Sequence, residues 1–429
     1  MTLNTYQNIL NNLPEAWEAK KFSELGQVIS GGTPSRDNPA FWHGDIPWLT
    51  PGEISNNAVK YLTETEEKIS SSGLNGSGAN LLPEKSLMIT SRATLGARVI
   101  NTVPMATNQG FKNVVFYDTD DAGFYYYLLE LVKPEMLRRA SGTTFLEISS
   151  KEFSDIDLPV PPKKERLFIE KTFDTLDNNI RQTEAIITKL QQVKRGLLHD
   201  LLTRGIDDSG QLRPPQHLAP ELYKESSLGW IPKEWTVDKL DNQIRIIDCK
   251  HVTPSYIEEG YPVIRPRNVK TSGLDFTDVE YVSYRDYLHL TDIHEPQKGD
   301  IVFSRNASFG VPAYVAEDKR FAIGQDVVVM TEKQANTHFV FYSLLGTTIS
   351  KQIALKSGGS TFGRINLGEI RELLMQVPTV AEQCLIRDIL AAKDQKIGIE
   401  KLQLQKLKKQ KSGLMNDLLT GKVRVTSLL

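Results

Sequence analysis

The sequence predicts an α+β protein built from two repeated globular α/β parts joined by two long helices. Three observations carry that expectation: an internal repeat about half the chain long, two Pro-marked helix starts followed by coiled-coil spacing, and short apolar strands introduced by turn residues. With 429 residues, of which 40% are hydrophobic, the chain has room for two domains of ~100 to 200 residues plus extra structure.

The repeat is collinear. Leu13-Pro14-Glu15-Ala16-Trp17 is answered by Ile231-Pro232-Lys233-Glu234-Trp235, and Ile46-Pro47-Trp48-Leu49 by Tyr261-Pro262-Val263-Ile264. Pro83 to Arg92 matches Pro296 to Arg305, each a turn followed by an apolar strand ending in Ser-Arg. Thr144-Phe145 meets Thr361-Phe362, Val160-Pro161 meets Val377-Pro378, and Leu197 to Thr203 meets Leu414 to Thr420.

Each half divides into a globular part and a long helix after a proline. The expected segments are a first globular part at 13–160, a helix at 163–204, a connection at 205–229, a second globular part at 230–378, a helix at 380–420 and a tail at 421–429. In the first helix, Phe173, Leu176, Ile180, Ile187, Leu190, Leu197 and Leu201 follow the three-four alternation of a coiled-coil seam, interrupted by Thr183 and Lys194. The second keeps the register with Leu390, Ile397, Leu404, Leu407, Leu414 and Leu418, and with polar residues at Lys393, Glu400 and Lys411. Roughly 40 helical residues reach about 60 Å, too long for one small domain to cover, so the helices should pair. Arg204 to Gly229, rich in Pro, Ser and charge, reads as a surface connection, and the tail after Gly421 as extended.

Composition excludes several classes. Lys plus Arg (51) nearly balances Asp plus Glu (53), so any nucleic-acid contact must come from local charge. Cys249 and Cys384 form no paired-thiol or metal spacing and read as buried small side chains in a reducing compartment. With no leader-like segment in Met1 to Asn12 and no apolar run of membrane length, a cytoplasmic protein with no membrane partner is expected.

Catalytic motifs are also missing. Asn38-Pro39-Ala40-Phe41 is a plain turn and lacks both the second proline and the glycine-rich cofactor turn of an adenine methyltransferase. Gly73 to Gly78 precedes a strand, which makes it a flexible surface loop and not a phosphate cradle, and Gly421-Lys422 lacks the rest of a nucleotide loop. His289 and His294 have no zinc-type motif between them. The expectation is therefore no catalytic residue, no metal site and no cofactor on this chain. Phe124-Tyr125-Tyr126-Tyr127 should be core, and the five lysines between Lys401 and Lys411 fit a solvated helix face and a phosphate-facing one equally.

The loops of the globular parts carry polar and basic residues that differ between the repeats while their framework agrees, as two different recognition surfaces would. The first half offers Arg36, Trp42, His43, Lys60, Arg92 and Lys112; the second offers Lys250, His251, Arg265, Arg267, Asn268, Lys270, Arg305 and Arg364. Arg and Asn can read base edges bidentately, while Lys mostly tethers phosphate. Arg92 and Arg305, repeated in both halves, could equally serve the shared fold.

Over nearly its whole length the chain resembles the specificity subunits of type I restriction-modification systems. Gly31-Gly32-Thr33-Pro34-Ser35 followed by Asp45-Ile46-Pro47-Trp48-Leu49, Leu228 to Trp235, Val377-Pro378-Thr379-Val380-Ala381-Glu382-Gln383 and Leu418 to Val425 are similar to signatures of that family. Two departures stand out: Glu165-Arg166 in place of Glu-Gln, and Cys249 to Pro254 where the first half has Gly-Gly-Thr-Pro. The resemblance implies a pseudo-twofold molecule: two target recognition domains, each reading half of a split double-stranded DNA site, on two helices packed as an antiparallel coiled coil whose length sets the gap. It further implies two modification subunits that methylate adenine with S-adenosylmethionine, and two restriction subunits that use ATP and Mg. Two other classes stay open, a stand-alone adenine methyltransferase and a protein-binding coiled-coil scaffold; cofactor binding by the pure chain would reveal the first, and lack of sequence-dependent DNA binding the second.

Overall fold

Leu87–Thr90 and Phe111–Phe116 are mostly apolar and buried on both faces, with Thr90, Lys112 and Asn113 as buried polar exceptions, and pair antiparallel inside a five-stranded sheet. Its order is Gly26–Ser30, Phe111–Phe116, Leu87–Thr90, Arg98–Asn101, Tyr61–Leu62. The structure, a computed structural model, describes residues 3–56, 59–92, 94–142, 146–306, 310–357 and 364–429, so the match of Thr144-Phe145 with Thr361-Phe362 lies outside the described residues. The chain divides into two units, Met1–Glu184 with Leu402–Leu429, and Ala185–Lys401.

In the first unit a second sheet sets Trp42–Leu49 between Glu67–Ile69 and Ala106–Thr107. Helix α1 (Leu3–Asn11) and helix α2 (Ala122–Arg139) flank the sheets. Phe124, Tyr125, Tyr127 and Leu128 of α2 share one core with Phe173 of the first long helix and with Leu418, Leu419 and Val425 of the C-terminal segment. The aromatic run is thus packing, not a stacking platform. Gly73 to Gly78 departs from the expected flexible loop, because Ser71–Asn75 forms a helical turn. A Cβ on Gly73 would stand 2.3 Å from the Phe41 carbonyl oxygen, so the glycine permits a close approach.

In the second unit the four-stranded sheet runs Ile244–Asp248, Val327–Glu332, Ile301–Ser304, Pro312–Tyr314. Its companion orders Tyr256–Ile257, Glu280–Val282, Tyr261–Ile264 and Ala322–Ile323. Trp48 lies opposite Ala106 in a parallel pair and Val263 opposite Ala322 in another, so this part of the repeat keeps the alignment read from sequence. Helix α3 (Thr337–Leu345) takes the place of α2 and packs Phe339 and Tyr342 with Trp235, Leu201, Leu202 and Leu390.

Backbone pairing corrects the alignment at the Ser-Arg motif by one residue. Thr90 and Ser304 each accept a hydrogen bond from a glycine, Gly96 and Gly310; Ser91 and Arg305 each donate to the strand opposite, at Gly110 and Asp326, and accept from Ile148 and Ile365. Arg305 therefore stands where Ser91 stands, and Asn306 where Arg92 stands. The identity of the two arginines was coincidental.

Lys163–Thr203 and Val380–Leu418 are continuous helices. In the first unit Lys411 pairs with Asp177 at 2.5 Å and Lys408 with Glu184 at 2.7 Å, an antiparallel order. In the second, Lys194 pairs with Asp394 at 2.5 Å. Phe173, Ile180, Ile187, Leu201, Leu390, Ile397, Leu407 and Leu418 are buried, while Leu176, Leu190, Leu197, Leu404 and Leu414 are half-buried.

Each long helix begins at a buried carboxylate. Glu165 accepts from the Trp17 indole (3.4 Å) and from Arg424; Glu382 accepts from the Trp235 indole (2.9 Å), the Ile206 amide (2.7 Å) and Arg213 (2.5 Å). A carboxylate there also suits the positive end of the helix dipole. These pairs overturn two expectations. The tail is not extended: it turns at Gly421 (φ 72), delivers Arg424 to Glu165, buries Val425 and ends in the short turn Thr426–Leu428. Nor is the connection purely surface, since Ile206, Arg213, Ala219 and Tyr223 are buried. Arg166, the departure from the family's Glu-Gln, donates to the Pro161 carbonyl and to Asp121, which precedes α2. Gln383 donates to the Pro378 carbonyl and accepts from the amide of Asn336, which precedes α3. A side-chain ion pair of Arg166 with Asp121 thus stands where Gln383 holds the backbone N–H of Asn336.

Candidate nucleic-acid interface

In the first unit, Arg36 is exposed, lies 3.8 Å from the centroid of the Trp42 ring and grips Glu67 with two nitrogens (2.5 and 2.8 Å). Trp42 anchors its indole on the Ser35 carbonyl and meets Trp48 edge-on. His43 is exposed at φ 57, a left-handed conformation that a strand forms only where its pairing is interrupted, and the register with Glu67–Ile69 shifts between Trp42 and Ile46. These three residues form one face. Arg92 is half-buried, and its backbone forms an isolated antiparallel β-bridge with Glu147. Lys112 is buried 3.8 Å from Glu147; burial pushes its ammonium below the ordinary lysine range, with Glu147 opposing and Arg92 reinforcing. Lys60 lies elsewhere, buried between Glu170 (3.0 Å) and Asp174 (2.6 Å) of the first long helix. Burial alone would lower its pKa, but the two carboxylates outweigh it and raise it. Its ammonium is consumed in fastening the helix.

In the second unit, Asp248 holds Arg305 (2.6 Å, buried) and the exposed His251 (3.3 Å). Asp326, at φ 64, holds Arg364 (3.0 Å, exposed) and the Asn306 amide (3.1 Å). The Arg305 amide donates to the Asp326 carbonyl, which joins the two groups into one cluster. Lys250 pairs with Asp292. Arg265 meets Glu280 at 2.7 Å, a pairing that raises the guanidinium pKa, and Arg267 meets Asp278 at 3.5 Å. Asn268 is buried: its amide donates to the carbonyls of Asp275 and Asp278 and its oxygen accepts from the Arg265 amide, so it shapes the turn that carries Arg265 and Arg267. Lys270 is exposed.

Sequence reading located the basic residues and missed their acidic holders, Glu67, Asp248, Glu280 and Asp326. A carboxylate dozens of residues away carries no sequence mark of the partnership. Among the described residues no three His, Cys, Asp or Glu side chains are grouped to hold a metal, and no helix is long and apolar enough to cross a membrane. Asn38 caps the short turn Pro39–Phe41, and His294 pairs with Asp300 at 2.6 Å. Cys249 is buried; Cys384 is only half-buried, short of the expected burial.

The family described as the type I restriction modification DNA specificity domain matches this chain twice, at residues 14–192 and 232–409. The chain belongs to that family. It is similar to the type I restriction enzyme MjaIX specificity subunit of Methanocaldococcus jannaschii, with 25% identity over 98% of this chain and 96% of the relative. The HindI specificity subunit of Haemophilus influenzae is 31% identical over 40% of this chain and 39% of its own. Among solved structures, the S subunit of the M. genitalium type I system superposes with a TM-score of 0.59 at 15% identity, covering 95% of this chain and 97% of that one. A chain from a study of type I complex assembly gives 0.54 at 15% identity, covering 96% and 100%. Membership makes this chain a DNA-sequence-recognising, non-catalytic component of a type I restriction-modification complex.

Proposed function

We propose that each unit reads one half of a bipartite double-stranded DNA target. The observation that carries this is that both units present exposed guanidinium groups on loops, each held by a carboxylate: Arg36 on Glu67 beside Trp42, and Arg364 on Asp326 beside Asn306. A guanidinium fixed in this way can offer its remaining N–H groups bidentately to guanine. His43, Arg92, Lys250, His251, Arg265, Arg267 and Lys270 extend the two faces as base or phosphate contacts. Lys112, Asn268 and Arg305, all buried, support those faces from within, whereas Lys60 fastens the first long helix. The chain would act in the cytoplasm with two modification subunits, which hold S-adenosylmethionine and take the adenine out of the stack, and with two restriction subunits, which use ATP and Mg.

The test is methylome sequencing of cells that express the chain with its cognate modification subunit. The parent should give one interrupted site. Arg36→Ala and Arg364→Ala should each relax a single position in opposite half-sites, with discrimination against the wrong base falling by about 1 to 3 kcal/mol. Relaxation in both half-sites from one substitution, or in neither, would overturn the assignment.

A further inference from the structure

Two of the polar residues that interrupt the apolar seam, Lys194 and Lys411, occur at matching places in the two helices. In the first unit the Lys411 ammonium meets Asp177 at 2.5 Å, and the buried Tyr127 hydroxyl lies 2.8 Å from the same carboxylate and 2.7 Å from Asp174, sharing its one proton between the two acids. In the second the Lys194 ammonium meets Asp394 at 2.5 Å, and the buried Tyr342 hydroxyl donates to it at 2.9 Å. Each lysine also sits over the ring of its tyrosine, at 5.4 and 5.5 Å from the centroid. Every group comes from a different element: tyrosine from α2 or α3, aspartate from one long helix, lysine from the other. The helices exchange roles between units, with aspartate on the first helix in one and on the second in the other.

Such contacts form at only one axial register. Three before Lys411 stands Lys408, but a shift that set it against Asp177 would put Ala391 where Asp394 faces Lys194, so one register alone satisfies both triads. The residues four before and three and four after Lys411 are Leu407, Leu414 and Met415; around Lys194 they are Leu190, Leu197 and Leu198. A slip that brought any of these opposite Asp177 or Asp394 would set an apolar side chain against a carboxylate that is already half-covered. A single polar residue in a coiled-coil seam specifies register by this penalty. Burial, together with the carboxylates, raises the pKa of both tyrosines, so both hydroxyls stay protonated donors.

We propose that the two Tyr–Asp–Lys triads are register pins: positioning residues that hold the long helices at one axial offset, seat each globular part on them, and so restrict the spacer accepted between DNA half-sites. The spacer clause rests on the bipartite reading above. A one-turn slip moves a helix by about 5.4 Å, between one and two base-pair steps of ~3.4 Å.

The pins themselves are tested without DNA, by spin labels at the exposed positions Lys171 and Lys409 in the full chain, which are staggered along the helix pair so that an axial slip changes their separation by nearly its own length. The parent should give one narrow distance peak. Lys411→Asp should add a second, displaced by about 5 Å, and the exchanged pair Lys411→Asp with Asp177→Lys should restore the first. If Lys411→Asp does not fold, Lys411→Met and Tyr127→Phe serve with the same readout. One unchanged narrow peak in variants with a lowered melting temperature would reduce the triads to stability alone and overturn the proposal.

The spacer is then read by methylome sequencing with the modification subunit present. Lys194→Asp and Lys411→Asp should keep both half-site sequences and methylate sites one base pair off the parental spacer at least about tenfold more than the parent does. A strictly parental spacer in every variant would refute this clause. Absence of any interrupted site in the parent would instead sink the bipartite reading and leave the label distances to decide the pins.

Discussion

Replacing Glu382 with alanine should be among the most damaging single changes in the second unit. The carboxylate accepts from Arg213 at 2.5 and 3.3 Å, from the Trp235 indole at 2.9 Å and from the Ile206 amide at 2.7 Å, and both charged side chains are less than a tenth exposed. Its removal leaves a guanidinium with one distant acid, Glu234 at 3.7 Å, and leaves two neutral donors unmatched. Breaking a buried pair on one side costs about 3 to 5 kcal/mol, a large share of the ~5 to 15 kcal/mol that holds a domain together. For a unit of this size, the melting temperature should fall by roughly 6 to 20 °C. Glu382→Gln keeps one acceptor oxygen, for the indole or for the Ile206 amide but not for both, and should lose less than Glu382→Ala. Glu234→Ala, which removes a mostly exposed acid, should stay within about 0.5 kcal/mol of the parent. Urea titrations followed by tryptophan fluorescence would order the three variants; coincident Glu382→Ala and Glu234→Ala curves would refute the view that this carboxylate is a buried hub.

Three further outcomes are expected. Ile180→Asp or Ile397→Asp places a carboxylate among buried seam residues and should cost several kcal/mol and weaken modification-subunit binding; a melt and a binding isotherm matching the parent would place these side chains outside the seam. His338, stacked 4.0 Å from Tyr314, has its pKa lowered by burial, so the unfolded chain takes up its proton at a higher pH than the native one. The second unit should therefore lose stability as pH falls below the ordinary histidine range near ~6.5, and His338→Gln should flatten that slope in unfolding curves at pH 5 and 7.5. A chain cut to residues 1–215 should dimerise, because Lys194, Leu201, Leu202 and Arg213 of one copy can take, against the other copy, the places that Lys411, Leu418, Leu419 and Arg424 hold in the full chain. Light scattering that reports a folded monomer would count against it.

Periodicity made the long helices legible, and the repeat made the sheets legible, because apolar spacing and turn residues act locally. Lys194 and Lys411 looked like flaws in the seam; their aspartate and tyrosine partners lie on other elements, so spacing along one helix could not reveal that they are contacts. The Ser-Arg match failed for a related reason: the two letters were the same, while the hydrogen bonds that fix register put Arg305 level with Ser91. Basic loop residues were visible as types, but not which of them the fold consumes. Lys60 and Asn268 are buried by tertiary contacts that composition cannot encode, whereas Arg36 and Arg364 stay exposed.

The joint of Arg166 with Asp121, where the other unit uses Gln383 on the backbone N–H of Asn336, bears on how such genes can exchange parts. A crossover at the proline before the first long helix would look like a clean seam between modules. It would nevertheless hand one parent's Asp121, Lys60 and Tyr127 to the other parent's residues at 166, 170, 174 and 177. A lineage with glutamine at the joint would then face an aspartate without its arginine. Viable recombinants should carry their breakpoints beyond Asp177, inside the helix, so that the unit of inheritance is a globular part together with the four or so helical turns that answer its charges.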